Sequence, residues 1–136
     1  MRKKLVAANW KMNGNLSSNA ALLRTYRAAL ASDSSPALKQ LDVLVCIPAP
    51  YLQQTQLELS DSGILWGGQT CSEHTIGAFT GEIAASMLRE FGASHVLIGH
   101  SERRYLCHEG DDLIAKKFIQ AQRAGLIPVL CVGETS

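Results

Sequence analysis

Short apolar runs alternate with stretches of helical spacing along this whole chain, at intervals of roughly thirty residues. That alternation constrains the fold most, because strand–helix–strand units assemble into a parallel sheet covered by helices. Strands are expected at residues 5–8, 43–47, 64–66, 96–98 and 127–132. Between the first two, Leu22, Leu23, Tyr26 and Leu30 fall on one helical face, behind the candidate caps Ser17, Ser18 and Asn19. Residues 33–41, polar around Pro36, read as a loop, and "PAPYLQQTQLELS" as a helix entered through prolines. A further helix is expected at residues 83–91. The next, "DDLIAKKFIQAQRAG", carries acids at its start, bases towards its end, and Gly125 as its stop.

Five strands in this pattern fit two α/β architectures. One is a doubly wound, flavodoxin-like domain. The other is the first part of a (β/α)8 barrel, which needs about 250 residues when closed. Periodicity does not separate them. The 136 residues are enough for one domain with a real core. A formal net charge of +1 gives no electrostatic footprint for nucleic acid or an anionic membrane surface. No apolar run is long enough to span a bilayer. Cys46, Cys71, Cys107 and Cys131 are scattered without a CxxC pair, as expected of reduced thiols in a cytoplasmic protein.

The chemistry-bearing residues cluster at strand ends. "VLIGHSERR" (96–104) is an apolar run that breaks at Gly99 into His100, Glu102, Arg103 and Arg104. In parallel α/β folds the C-terminal ends of strands are where ligands bind. A helix expected from about Ser101 sets the positive end of its dipole beside His100, which favours a neutral ring able to donate or accept a proton. Arg103 and Arg104 are expected to anchor loops through ion pairs. At the end of the first strand, the period-two alternation of side chains points Asn9 and Lys11 the same way. A carboxamide beside an ammonium suits a small anionic substrate, although a lysine taken alone is ordinarily just solvated. "CSEH" (71–74) has a metal-like spacing but no third ligand at an organised interval, so no metal site is expected. Without a GxGxxG or Walker sequence no cofactor is expected, and without a GxSxG elbow Ser101 is not a hydrolase nucleophile.

Four motifs, "AANWKMNG" (7–14), "GAFTGEIAASML" (77–88), "IGHSERR" (98–104) and "VLCVGET" (129–135), make the chain resemble the N-terminal part of triosephosphate isomerases, in order and in spacing. The resemblance covers essentially the whole chain. It implies a (β/α)8 TIM barrel, of which residues 1–136, as a single incomplete domain, supply about five strands and four helices. It implies an aldose–ketose isomerase of glycolysis and gluconeogenesis that interconverts dihydroxyacetone phosphate and glyceraldehyde 3-phosphate. Asn9 and Lys11 would bind substrate, His100 would polarise its carbonyl and shuttle protons, and Glu102 would support Lys11. A neutral histidine at a helix N-terminus is an established feature of this family, taken over here as such. Asn13, Gly77, Phe79, Thr80, Gly81 and Glu82 would form a homodimer interface, with loop 77–82 inserted into the partner and Thr80 near its active site. Cys131 would be a buried strand cysteine.

The chain stops after the fifth expected strand. The family's catalytic glutamate, closing loop and glycine-rich phosphate loops belong to later strands, and Glu134 does not occupy the position of that base. An N-terminal fragment, inactive alone and completed by a companion chain, is therefore expected. A non-catalytic half-barrel assembly module is the alternative.

Overall fold

The structure, a computed structural model, describes residues 3–133. Its elements run β1 (Lys4–Asn9), α1 (Leu16–Ser32), α2 (Pro36–Lys39), β2 (Leu41–Cys46), a 3-10 turn (Ala49–Tyr51), α3 (Leu52–Leu59), β3 (Leu65–Gly68), α4 (Ala85–Glu90), β4 (His95–Ile98), α5 (Ser101–Leu106), α6 (Asp111–Arg123) and β5 (Ile127–Leu130). All five strands are parallel, in the order β1-β2-β3-β4-β5. A doubly wound sheet reverses direction at a switch point. This one never does, so the flavodoxin-like alternative is excluded and the sheet is a half-barrel.

Side chains alternate across the sheet and build two cores. Val45, Ile47, Val96 and Ile98 face outward and pack with Leu23, Leu59, Leu88 and Ile114 beneath the helices. Leu44, Cys46 and Leu97 face the barrel interior, with Leu65, Val129 and Cys131 against them. The inner layer is only half built. Leu5 on β1 and Ile127 on β5 are apolar yet exposed, and so are Val6 and Leu130 on the outer faces of those edge strands. Strands this apolar on both faces suit burial on both sides. For the same reason Cys131 is half-buried, not fully buried as expected.

Local details depart from the sequence reading for identifiable reasons. Helix α1 is capped by Asn15, whose side chain accepts from the Ser18 amide at 2.9 Å while Ser18 Oγ accepts from the Asn15 amide. Ser17, Ser18 and Asn19 thus lie inside the helix, and Leu22 is exposed beside buried Leu23. Pro36 starts a single helical turn in the expected loop. That turn is the one helix the sequence reading did not expect; α5 begins at Ser101 as expected.

His95 begins β4 on the inner face, buried, with its Nδ1 2.8 Å from Ser94 Oγ. Burial pushes its pKa down, against the opposing pull of Asp42. A depressed histidine contributes stability that is full above the unfolded pKa, about 6.5, and is lost as pH falls towards the folded value. Urea midpoints of a polypeptide carrying this half-barrel are therefore expected to fall between about pH 7.5 and 5.5. His95→Gln should flatten that slope; an unchanged slope in the variant would assign the titration elsewhere.

Candidate active site

The C-terminal ends of β1, β3 and β4 converge on one open hollow of about 220 Å³, lined by Asn9, Lys11, Gln69, His100 and Glu102 among others. Asn9 is the last residue of β1. Its Oδ1 accepts from the Lys11 amide at 2.9 Å. Lys11 itself sits in the left-handed region, at φ +55°, beyond the strand. Strand alternation therefore does not bring Asn9 and Lys11 together, as the sequence suggested. A local turn closed by the Asn9 carboxamide does.

Gln69, just past β3, holds that turn. Its Nε2 donates to the Lys11 carbonyl at 2.6 Å and lies 3.2 Å from Asn9 Oδ1. Left-handed backbone at a non-glycine residue costs on the order of 1–3 kcal/mol, and it persists only where surroundings over-determine it. Gln69 escapes the sequence reading because the third strand is expected to end at Trp66. A signal is present all the same: Gly67 and Gly68 extend β3, which leaves Gln69 as the first side chain at a barrel strand's C-terminal end.

Lys11 Nζ donates to Glu102 Oε1 at 2.7 Å, joining motifs 91 residues apart. Both side chains are about half exposed, so the pair orients groups more than it stabilises the fold. The hydrogen bond from Lys11 holds the Glu102 carboxyl below its usual range, against burial and with the help of the Lys11 charge. His100 is the N-cap of α5. Its Nδ1 accepts from the Glu102 amide at 3.2 Å, while Glu102 Oε2 stands farther off at 3.6 Å. An amide can only donate, so this contact uses the lone pair of Nδ1 and suits the tautomer with its proton on Nε2.

The arginines anchor the site's walls as expected. Arg104 donates to Gly99 O, to Asp111 and to Cys131 O, tying the ends of β4 and β5 together. Arg103 reaches Glu109, which also receives Lys117 from α6. A larger open hollow of about 880 Å³ lies between the ends of β4 and β5 and shares His100. The smaller one is the hollow that brings Asn9, Lys11, Gln69, His100 and Glu102 together. Burial pushes the Cys46 thiol up to about 12 and Cys71 up to about 11, which disfavours the thiolate form that a nucleophile needs. Cys71 packs against the Lys117 carbonyl while His74 stacks on Phe79, so the "CSEH" pair does not converge. Glu134 lies outside the described residues.

The residues of loop 77–82 are exposed. Its Phe79 is not a free tip, however, because the ring lies against His74 with centroids 3.6 Å apart. Asn13 is exposed and donates to the Trp10 carbonyl.

The family model for triosephosphate isomerase matches residues 4–136. The chain is 58% identical to the triosephosphate isomerase of Dechloromonas aromatica over 135 residues, which are 99% of this chain and 52% of that protein. It is 56% identical to that of Thiobacillus denitrificans, over 99% of this chain and 51% of that protein. The crystal structure of triosephosphate isomerase from Bartonella henselae superposes with a TM-score of 0.85 at 41% identity, covering 98% of this chain and 53% of that one. The chain spans about half the length of the curated relatives it matches. The parallel half-barrel and these matches agree: the chain belongs to the triosephosphate isomerase family.

Proposed function

We propose that this half-barrel, once closed by the remaining strands, interconverts dihydroxyacetone phosphate and glyceraldehyde 3-phosphate in cytoplasmic glycolysis and gluconeogenesis. The observation that carries the reading is the convergence of Lys11, Glu102 and His100 in one hollow from two distant motifs. Lys11, with Asn9 beside it, binds the anionic substrate and offsets negative charge on its phosphate and on the developing enediolate. The His100 ring presents Nε2–H, a neutral donor suited to polarise a carbonyl and pass protons between neighbouring oxygens. Glu102 orients Lys11 through its 2.7 Å hydrogen bond. The proton-abstracting base and the phosphate loops come from the strands that complete the barrel.

Two further features support the assembly part of the reading. The edges of β1 and β5 are exposed and apolar, which suits pairing with added strands. Elsewhere on the surface, Met12, Ile76, Tyr105 and Leu106 are all more than two-thirds exposed. The partner is a second copy, met through Asn13, Gly77, Phe79, Thr80, Gly81 and Glu82.

A coupled isomerase assay on the barrel completed by a polypeptide carrying the later strands tests the reading. Turnover that Lys11→Ala abolishes supports it. A completed barrel that assembles without turnover would support the non-catalytic assembly module instead. Gln69→Leu should lower kcat/KM on the order of 10²-fold, since small misplacements of catalytic groups have such effects. Unchanged kinetics in that variant would show that the Lys11 turn holds without Gln69.

A further inference from the structure

We infer that His74 is a positioning residue whose imidazole pre-shapes loop 77–82 for docking into a second copy of this chain. The inference rests on the homodimer reading above. The neck of the loop is closed by the Ser72 amide donating to the Ile83 carbonyl at 2.8 Å. His74 is held at that neck, with its amide donating to Ser72 Oγ at 3.1 Å. Its ring stacks flat on Phe79, 3.6 Å between centroids and 3° between planes. A Cβ at Gly77 would meet the Phe79 ring at 2.9 Å, and Gly77 has φ +138°. Only glycine there lets the ring fold back. The turn is then fixed by the Phe79 amide donating to Gly77 O and the Glu82 amide donating to Phe79 O, both at 2.9 Å.

Contacts among residues 72–83 therefore give the loop its shape. Glu73, next to His74, reaches the body of the domain. Glu73 Oε1 stands 3.7 Å from His74 Nε2, and Glu73 Oε2 stands 3.4 Å from Lys116 Nζ on α6. An exposed loop that is already ordered loses less freedom on docking than one that must order then. Such a loop holds Thr80 and Gly81 in one presentation, and Phe79 offers a ring half exposed at 41%. Without the stack, Phe79 swings free and the loop docks from a broad ensemble.

The test compares His74→Ala with His74→Phe, which keeps a flat ring at that position, in a polypeptide carrying the complete barrel around this sequence. Two readouts are taken: amide exchange at Phe79 and Glu82 in dilute monomer, and the dimer dissociation constant from sedimentation. His74→Ala is expected to speed exchange at those amides and to weaken the dimer, each on the order of tenfold, with Val96, Leu97 and Ile98 amides unchanged. His74→Phe is expected to restore both. Exchange unaltered by His74→Ala overturns the inference, as does faster exchange with an unaltered dissociation constant. A parent protein that stays monomeric while its loop exchange responds to His74→Ala overturns the dimer reading, and the docking role with it.

Discussion

A preparation of these 136 residues alone is expected to show no isomerase turnover above background, at least ~10²–10⁴-fold below a closed barrel. Abstraction of a proton beside a carbonyl needs a base within hydrogen-bond reach of the carbon acid. Among the described residues, Glu102 is the one carboxylate lining the hollow that holds Lys11 and His100. It is already committed to Lys11 at 2.7 Å, and that bond lowers its pKa, so it is a poor base as well as a misplaced one. Lys11 stands about half exposed, where water screens the charge it offers the phosphate. Orientation and water exclusion are lost together with the base. The measurement follows glyceraldehyde 3-phosphate formation by the purified chain, with Lys11→Ala as the control for contaminating enzyme. Robust turnover that disappears in Lys11→Ala would falsify the assignment of the base to later strands.

Much of the fold is legible in the sequence because barrel strands carry short apolar runs and helices carry a different period. All five strands stand where those runs put them, with ends off by a few residues at most. Strand order is not legible from that pattern, because a period says which residues share a face and nothing about which strands are neighbours. The register, with Val45 beside Trp66 and Val96 beside Pro128, emerges only from the assembled sheet. His100 and Glu102 stand out in the sequence as candidates, since ionisable groups directly after a fully buried strand have few structural uses, and both line the hollow with Lys11. Lys11 is reached for an incomplete reason. Alternation does not apply to a residue whose φ of +55° takes it out of the strand. The Asn9 carboxamide and Gln69 that impose that turn act through side-chain geometry, which no spacing rule encodes. The same limit hides the His74–Phe79 stack. In the sequence Phe79 is only an apolar loop residue, and the spacing around His74 suggests a metal ligand before it suggests a ring partner.

Lys117 is hidden in a different way. It sits three residues after Ile114 and four before Ala121, on the buried stripe of α6, yet a lysine in the middle of a helix ordinarily reads as a solvated base. That placement carries the largest expected effect on stability. Lys117 and Glu109 are 3% and 4% exposed, and Lys117 Nζ lies 2.5 Å from Glu109 Oε1 and 3.2 Å from Thr70 Oγ1. Arg103 Nε reaches the same carboxylate oxygen at 2.8 Å. Burial works to raise the Glu109 pKa, but the hydrogen bonds from Lys117 and Arg103 outweigh it and the net direction is down. Glu109→Ala leaves the Lys117 ammonium buried without its counter-charge, and removing one partner of such a pair costs about 3–5 kcal/mol. That is a large share of the roughly 5–15 kcal/mol that holds a domain folded. Adding Lys117→Met should recover most of the loss, because an apolar replacement of similar volume removes the stranded charge. The sign in pH follows from the depressed carboxyl: the contribution is full above the unfolded glutamate pKa, about 4.3, and fades as pH falls through the folded value. Urea denaturation of the parent, Glu109→Ala and the double variant, read at about pH 7 and pH 4, measures each of these. A Glu109→Ala loss below about 1 kcal/mol at neutral pH would mean that Lys117 finds water or another acceptor and that the buried network is not holding α5 to α6.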